Sequence, residues 1–195
     1  MNVSFAVVFA LILFLIPCAY SAEDDSQNVG LLNKELFEAV ANNNLNTVKV
    51  LISKGANINT KRDYGYTPLM DAVSLKDEMM AKELIEMGAD VNASNSEGRT
   101  ALRYAVHYGM YETTKLLVER GAETNTQDAA GVTPLMQAVW RNEVIIIRFL
   151  MQNGANVNIK DDTGQTALSY AKERYAKYKD NKEIVDFLSR SELSN

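Results

Sequence analysis

Gly65-Tyr66-Thr67-Pro68-Leu69, with Ala72 three residues beyond, and Gly88-Ala89-Asp90-Val91-Asn92 are the segments on which the fold turns. Shifted by 33 residues, the same residue types return. One glycine series is Gly65, Gly98, Gly131 and Gly164; a second is Gly55, Gly88, Gly121 and Gly154, each followed by Ala56, Ala89, Ala122 or Ala155. Four residues past the second series stand Asn59, Asn92, Asn125 and Asn158. Thr67, Thr100, Thr133 and Thr166 keep the step, as do Leu69, Leu102, Leu135 and Leu168, and Ala72, Ala105, Ala138 and Ala171. Such a period marks an array of small units that bury their apolar faces against one another.

The chemistry of each unit follows from these types. Gly65 sits where a tight turn needs positive φ. Thr67 caps the next helix through its hydroxyl, and Pro68 suits the first helical position. Leu69 and Ala72 share a helical face, and the small Ala lets neighbouring helices approach. A second helix carries an apolar stripe: Val48, Leu51 and Ile52; Ala81, Leu84 and Ile85; Thr114, Leu117 and Val118; Ile147, Leu150 and Met151. Gly88 and its equivalents end that helix at a left-handed cap. The Asn series is expected to bond its own backbone at the start of the next turn.

The chain resembles the ankyrin-repeat family, whose period is 33 residues and whose motif is Thr-Pro-Leu-His-x-Ala. Tyr66-Thr67-Pro68-Leu69 and Val132-Thr133-Pro134-Leu135 match its first part; Arg99-Thr100-Ala101-Leu102 and Gln165-Thr166-Ala167-Leu168 match with Ala for Pro. Met70, Arg103, Met136 and Ser169 replace the motif His, so any bond from that His to the Thr is expected to be missing. The resemblance implies an all-α solenoid of about five helix-turn-helix units joined by β-hairpin-like turns. The units are 31–62, 63–95, 96–128, 129–161 and 162–195, with atypical caps at both ends. In the first, Asn33, Lys34, Glu35 and Glu38 put polarity where a neighbour would otherwise pack. In the last, Thr166 to Leu188 is 22 steps where Thr133 to Leu150 is 17, so five extra residues fall within 173–182, as a lengthened first helix or a longer turn.

The N-terminal segment is of another kind. Met1 to Ala22 holds no charged side chain, and Phe5 to Ile16 is an unbroken apolar run. Pro17 and the group Ala19-Tyr20-Ser21-Ala22 follow. This reads as a signal peptide, residues 1–21, cleaved after Ser21, although its n-region has no Lys or Arg. A short acidic linker, 22–30, comes next. An uncleaved anchor over Val3 to Tyr20, or lipid attachment at Cys18 in a loose lipobox, are the competing readings. Cleavage removes Cys18, the single cysteine, which suits an oxidising compartment. With the repeats, the leader points to an exported, periplasmic or secreted bacterial protein; the alternative is a membrane-tethered scaffold.

Composition excludes other classes. At 47% hydrophobic and 23% charged, the chain is neither disordered nor collagen-like. With 20 Lys and Arg against 25 Asp and Glu it lacks the basic surplus of a nucleic-acid binder. One Cys and one His exclude an internal disulfide and a Cys-based or multi-histidine metal site. His107 has no nucleophile and orienting acid at recognisable spacing, carboxylates are not paired for catalysis, and the glycines belong to turns and caps. The expectation is a monomeric non-enzyme without cofactors that binds a protein, touching membrane only if the leader is retained or lipidated.

Ankyrin domains bind through a concave face made of hairpin tips and the exposed side of the first helices, which the resemblance maps onto Tyr64, Tyr66, Arg99, His107, Tyr108, Trp140 and Arg141. Aromatics and Arg are enriched at binding hot spots. The competing reading has these rings packed between adjacent units. Tyr104 and Tyr170, one turn earlier, extend the patch, and Tyr108, Trp140 and Arg141 are expected to be contiguous beside His107. The stretch 172–182 holds five Lys or Arg with Tyr175 and Tyr178. Two acids, Glu173 and Asp180, interleave there, so it reads as a solvated helix face.

Overall fold

A computed structural model describes residues 22–192, and the leader reading at 1–21, with Cys18, lies outside them. Among the described residues there are ten α-helices, one 3-10 turn at Asp63–Gly65 and no strand beyond an isolated bridge between Ser94 and Thr100. The helices are α1 (Ala22–Ala41), α2 (Leu45–Ser53), α3 (Pro68–Ser74), α4 (Glu78–Glu86) and α5 (Ala101–His107). They continue as α6 (Tyr111–Glu119), α7 (Pro134–Arg141), α8 (Val144–Gln152), α9 (Ala167–Tyr178) and α10 (Lys182–Glu192). Each odd helix packs on the even helix after it; the odd helices form a continuous row, and α4, α6 and α8 form a second. This is the all-α solenoid that the period implies.

Each first helix from unit 2 onward begins where its threonine says. Thr67, Thr100, Thr133 and Thr166 are extended, and each hydroxyl accepts the backbone N–H three residues on at 3.3 Å. Pro68 and Pro134 open their helices. The motif-His position is not wholly idle: the Ser169 hydroxyl lies 3.2 Å from that of Thr166.

The core is the stripe and its partners. Leu36, Leu69, Leu102 and Leu135 stack in the odd row, and Leu84, Leu117 and Leu150 in the second row, all essentially inaccessible to solvent. Ala72, Ala105 and Ala138 are wholly buried between them. Thr114 keeps the register but brings a hydroxyl without a partner into the core.

Successive hairpins hold one another by backbone bonds. Ser96 N–H donates to Tyr64 C=O, Ala129 N–H to Glu97 C=O and Asp162 N–H to Ala130 C=O, at 2.8, 2.8 and 3.1 Å. Gly131, at φ +74°, shows why glycine is needed here: a Cβ would stand 2.8 Å from the Asp162 backbone nitrogen. At Gly164, the last tip, the same Cβ meets nothing.

Three expectations are corrected or resolved. Residues 22–30 are the first half of α1 rather than a linker. No Pro interrupts Ala22–Ala41, and Gly30 costs about 1 kcal/mol, which the buried Leu32, Leu36, Ala39 and Val40 offset. The Asn series bonds the next unit, not its own backbone: Asn59, Asn92 and Asn125 Oδ1 accept the N–H of Asp90, Glu123 and Asn156 at 2.8–2.9 Å. Asn57, Asp90 and Asn156, two residues earlier, make the local turn bond instead. The five extra residues lengthen a helix: α9 has 12 residues, against seven or eight in α3, α5 and α7.

Candidate functional site

The hairpin tips and the outward side of the odd helices form one face, here called the tip face. Its framework is a series at the hairpin bases, Arg62, Asn95, Asp128 and Asp161, whose N–H groups close the hairpins onto Tyr66, Arg99, Val132 and Gln165. Each base therefore belongs structurally to the unit it opens, 2, 3, 4 or 5, one residue ahead of the bounds read from sequence. The Oδ1 atoms of Asn95, Asp128 and Asp161 each accept two backbone N–H groups of their own tip at 2.9–3.0 Å, so buried polar side chains shape the loops. Unit 2 has Arg62 at this position and no such oxygen. Its tip is the 3-10 turn, with Tyr64 at φ +60° and 78% exposed.

Nine residues after each base stands Asp71, Tyr104, Gln137 or Tyr170, and three of the four pairs are bonded. Arg62 holds Asp71 at 2.7 Å, Asn95 donates to the Tyr104 hydroxyl at 3.1 Å, and the Tyr170 hydroxyl donates to Asp161 at 2.6 Å. In unit 4 both members reach back instead: Asp128 to Arg103 at 3.3 Å, and Gln137 Nε2 to His107 Nδ1 at 3.1 Å. Sequence reading missed these pairs. The signal was present as a 33-residue series at 62, 95, 128 and 161 and a constant nine-residue offset.

These bonds set the protonation states. Burial works against ionising Asp161, but hydrogen bonds from the Tyr170 and Thr163 hydroxyls and from the Gln165 and Thr163 N–H groups outweigh it and hold its pKa at about 2. Burial, then the neighbouring Asp161 carboxylate, pushes Tyr170 up to about 12. Burial and the Tyr66 hydroxyl push Tyr104 to about 12. Burial lowers the His107 pKa, and Arg141, Arg103, Arg99 and Lys76 lower it further.

The expected site residues all lie on this face but do not form one cluster. The Tyr66 hydroxyl bonds that of Tyr104 at 2.6 Å, and its ring takes the Arg62 guanidinium at 5.5 Å, so Tyr66 bridges units. Arg99 pairs with Glu97 at 2.7 Å. Tyr108 lies edge-on to His107 and under the Lys76 ammonium of the preceding unit at 5.1 Å. The Trp140 ring meets Tyr170 of the following unit edge-on at 6.0 Å, and 56% of the residue stays exposed. The rings of Tyr108 and Trp140 therefore find their partners in opposite directions along the stack. Arg141 is exposed beside Trp140. Tyr104 is buried and Tyr170 half-buried, with both hydroxyls engaged. Among the described residues no three His, Cys, Asp or Glu side chains are grouped to hold a metal ion, and no helix is long and apolar enough to cross a membrane.

The molecule is thus a helical repeat solenoid with a polar, aromatic tip face. The family model of ankyrin repeats in three copies matches residues 36–128, and that of ankyrin repeats in many copies matches residues 116–171. The chain belongs to the ankyrin-repeat family, whose repeats are protein–protein interaction modules. No curated protein matches it.

Proposed function

We propose that the chain is a non-enzymatic, monomeric protein-binding module of bacterial origin, exported to the periplasm or secreted, that takes its partner on the tip face. The observation that carries this reading is Trp140, a large aromatic side chain left 56% exposed beside Arg141 on the tip face. Other apolar side chains, Met79 and Ile145 among them, are as exposed, but Trp with Arg beside it has the composition enriched at interface hot spots. The leader pattern over 1–21 supports export.

Photo-crosslinking in the source organism tests both parts. A photoreactive residue at Trp140 or Tyr64 should yield a defined protein adduct, and one at Met79, exposed on the second-helix side, should not. Equal adducts from all three positions refute the tip-face assignment. The mass of the purified protein reads out export: loss of residues 1–21 supports it, whereas lipid on an N-terminal Cys18 or an intact chain means a tethered scaffold.

A further inference from the structure

The lengthened α9 has a consequence beyond capping the stack. Its extra turn rises beside the end of α7, and Trp140, Arg141, Glu173, Arg174, Lys177 and Tyr178 line a cleft of about 240 Å³ between them. That is below the roughly 300 Å³ at which small-molecule sites begin, and it suits one or two side chains of a larger partner.

Arg174 fixes the walls. Its Nη1 donates to the Trp140 carbonyl at 3.1 Å, its Nη2 to Asp180 at 3.0 Å, and its guanidinium lies 5.1 Å from the Tyr178 ring centre. Asp180 thereby neutralises Arg174. Arg141 and Lys177 have no carboxylate partner among the described residues, and Glu173 is the sole acid in the lining. Further along the face Arg99 and Arg103 are paired with Glu97 and Asp128, so the uncompensated cations are those at the cleft. The chain as a whole has 25 acidic against 20 basic side chains, whereas the lining of this cleft sets Arg141, Arg174 and Lys177 against Glu173.

We propose that the cleft between α7 and the extended α9 binds an acidic peptide segment of a protein partner, its carboxylates set against Arg141 and Lys177 and an adjacent apolar side chain against Trp140. The charges steer the encounter and choose the partner; the aromatic walls supply the anchor. Surface ion pairs alone contribute little, which is why an apolar residue beside the carboxylates belongs to the recognised segment. This assignment rests on the tip face being the interaction face.

Trp140 is the only tryptophan in the chain, so its emission reports occupancy directly. The full chain is titrated with a synthetic peptide of repeating Glu-Leu-Asp, with its Gln-Leu-Asn counterpart and with a single-stranded oligonucleotide. The expected result is a saturable change with the acidic peptide alone, weakened by added salt and by about tenfold or more in an Arg141→Gln/Lys177→Gln variant. Both substituted residues are exposed, and an unchanged thermal melt confirms that the variant is folded. Absence of saturable binding, equal affinity for the neutral peptide, tighter binding of the oligonucleotide, or indifference to the double substitution overturns the proposal. If the acidic peptide fails while Trp140 still crosslinks to a protein, the cleft chemistry is wrong and the interaction face stands.

Discussion

Units 3 and 5 tie hairpin to helix within themselves, Asn95 to Tyr104 and Asp161 to Tyr170, whereas in unit 4 Asp128 and Gln137 both reach back to unit 3, to Arg103 and His107. Beneath this difference the scaffold is the same: a threonine cap, a buried Leu and a buried Ala stand at matching positions in all three. The stack is specified by the residues that repeat, and the tip face by the residues that do not. Polar bonds on that face run within a unit or between units as local side chains allow, without altering the helices below.

If the repeating stripe carries the stability, substitutions there should dwarf those on the face. Leu117→Ala, mid-stack and fully buried, should cost about 2–5 kcal/mol in denaturant unfolding, and Leu150→Ala a similar amount. A loss under about 1 kcal/mol at either would take these leucines out of the core.

The hairpin base comes next. Asp161→Ala strands two backbone N–H groups and the Tyr170 hydroxyl and should cost about 1–3 kcal/mol. Asp161→Asn reproduces what unit 3 has at Asn95, with an amide facing a tyrosine hydroxyl, and should cost less than about 1 kcal/mol at neutral pH. The two variants also separate on acidification. Asp161 ionises at about 2 in the fold against an ordinary 3.8, so its contribution is complete above the ordinary value and is lost as pH falls from there toward 2. Asp161→Asn should flatten that limb of the stability curve; an unaltered limb would contradict the Tyr170 and Thr163 bonds.

Thr133→Ala removes the cap of α7 and should cost about 1 kcal/mol by thermal melt, with Thr166→Ala close to it because the geometry is the same. The smallest effect belongs to His107. Its folded pKa lies below 6.5, so the stability from its neutral form is whole above that value and is lost as pH falls toward the folded pKa. Arg141→Gln should raise the midpoint, read by NMR from the one histidine in the chain. An unmoved midpoint would separate Arg141 from the field around His107.

How legible each feature was depends on whether it repeats in residue type. The glycine, threonine, leucine and alanine series recur unchanged because turn, cap and core each admit few side chains, and they disclosed the architecture. The hairpin-to-helix pairs recur only in position, as Arg62–Asp71, Asn95–Tyr104 and Asp161–Tyr170, since any donor and acceptor of suitable reach closes the gap. The Asn series was visible, but its direction was not, because Asn bonds equally well to its own turn and to one stacked beside it. Charged residues over 173–182 suit a helix as well as a turn, and packing against α7 and α10 decides for the helix. The seven candidate residues were legible as tip and first-helix positions, but which ring meets which required the stacking geometry.

The measurement closest to the central division between scaffold and face is made on one variant, Trp140→Ala, followed by thermal melt and by titration of the partner that crosslinks at position 140. Trp140 is 56% exposed and touches Tyr170 only edge-on, so the melt should stay close to that of the parent while affinity falls by about 2 kcal/mol or more. A drop in melting temperature on the scale of Leu117→Ala, with unchanged affinity in the folded fraction, would make Trp140 a wedge between units and contradict the account.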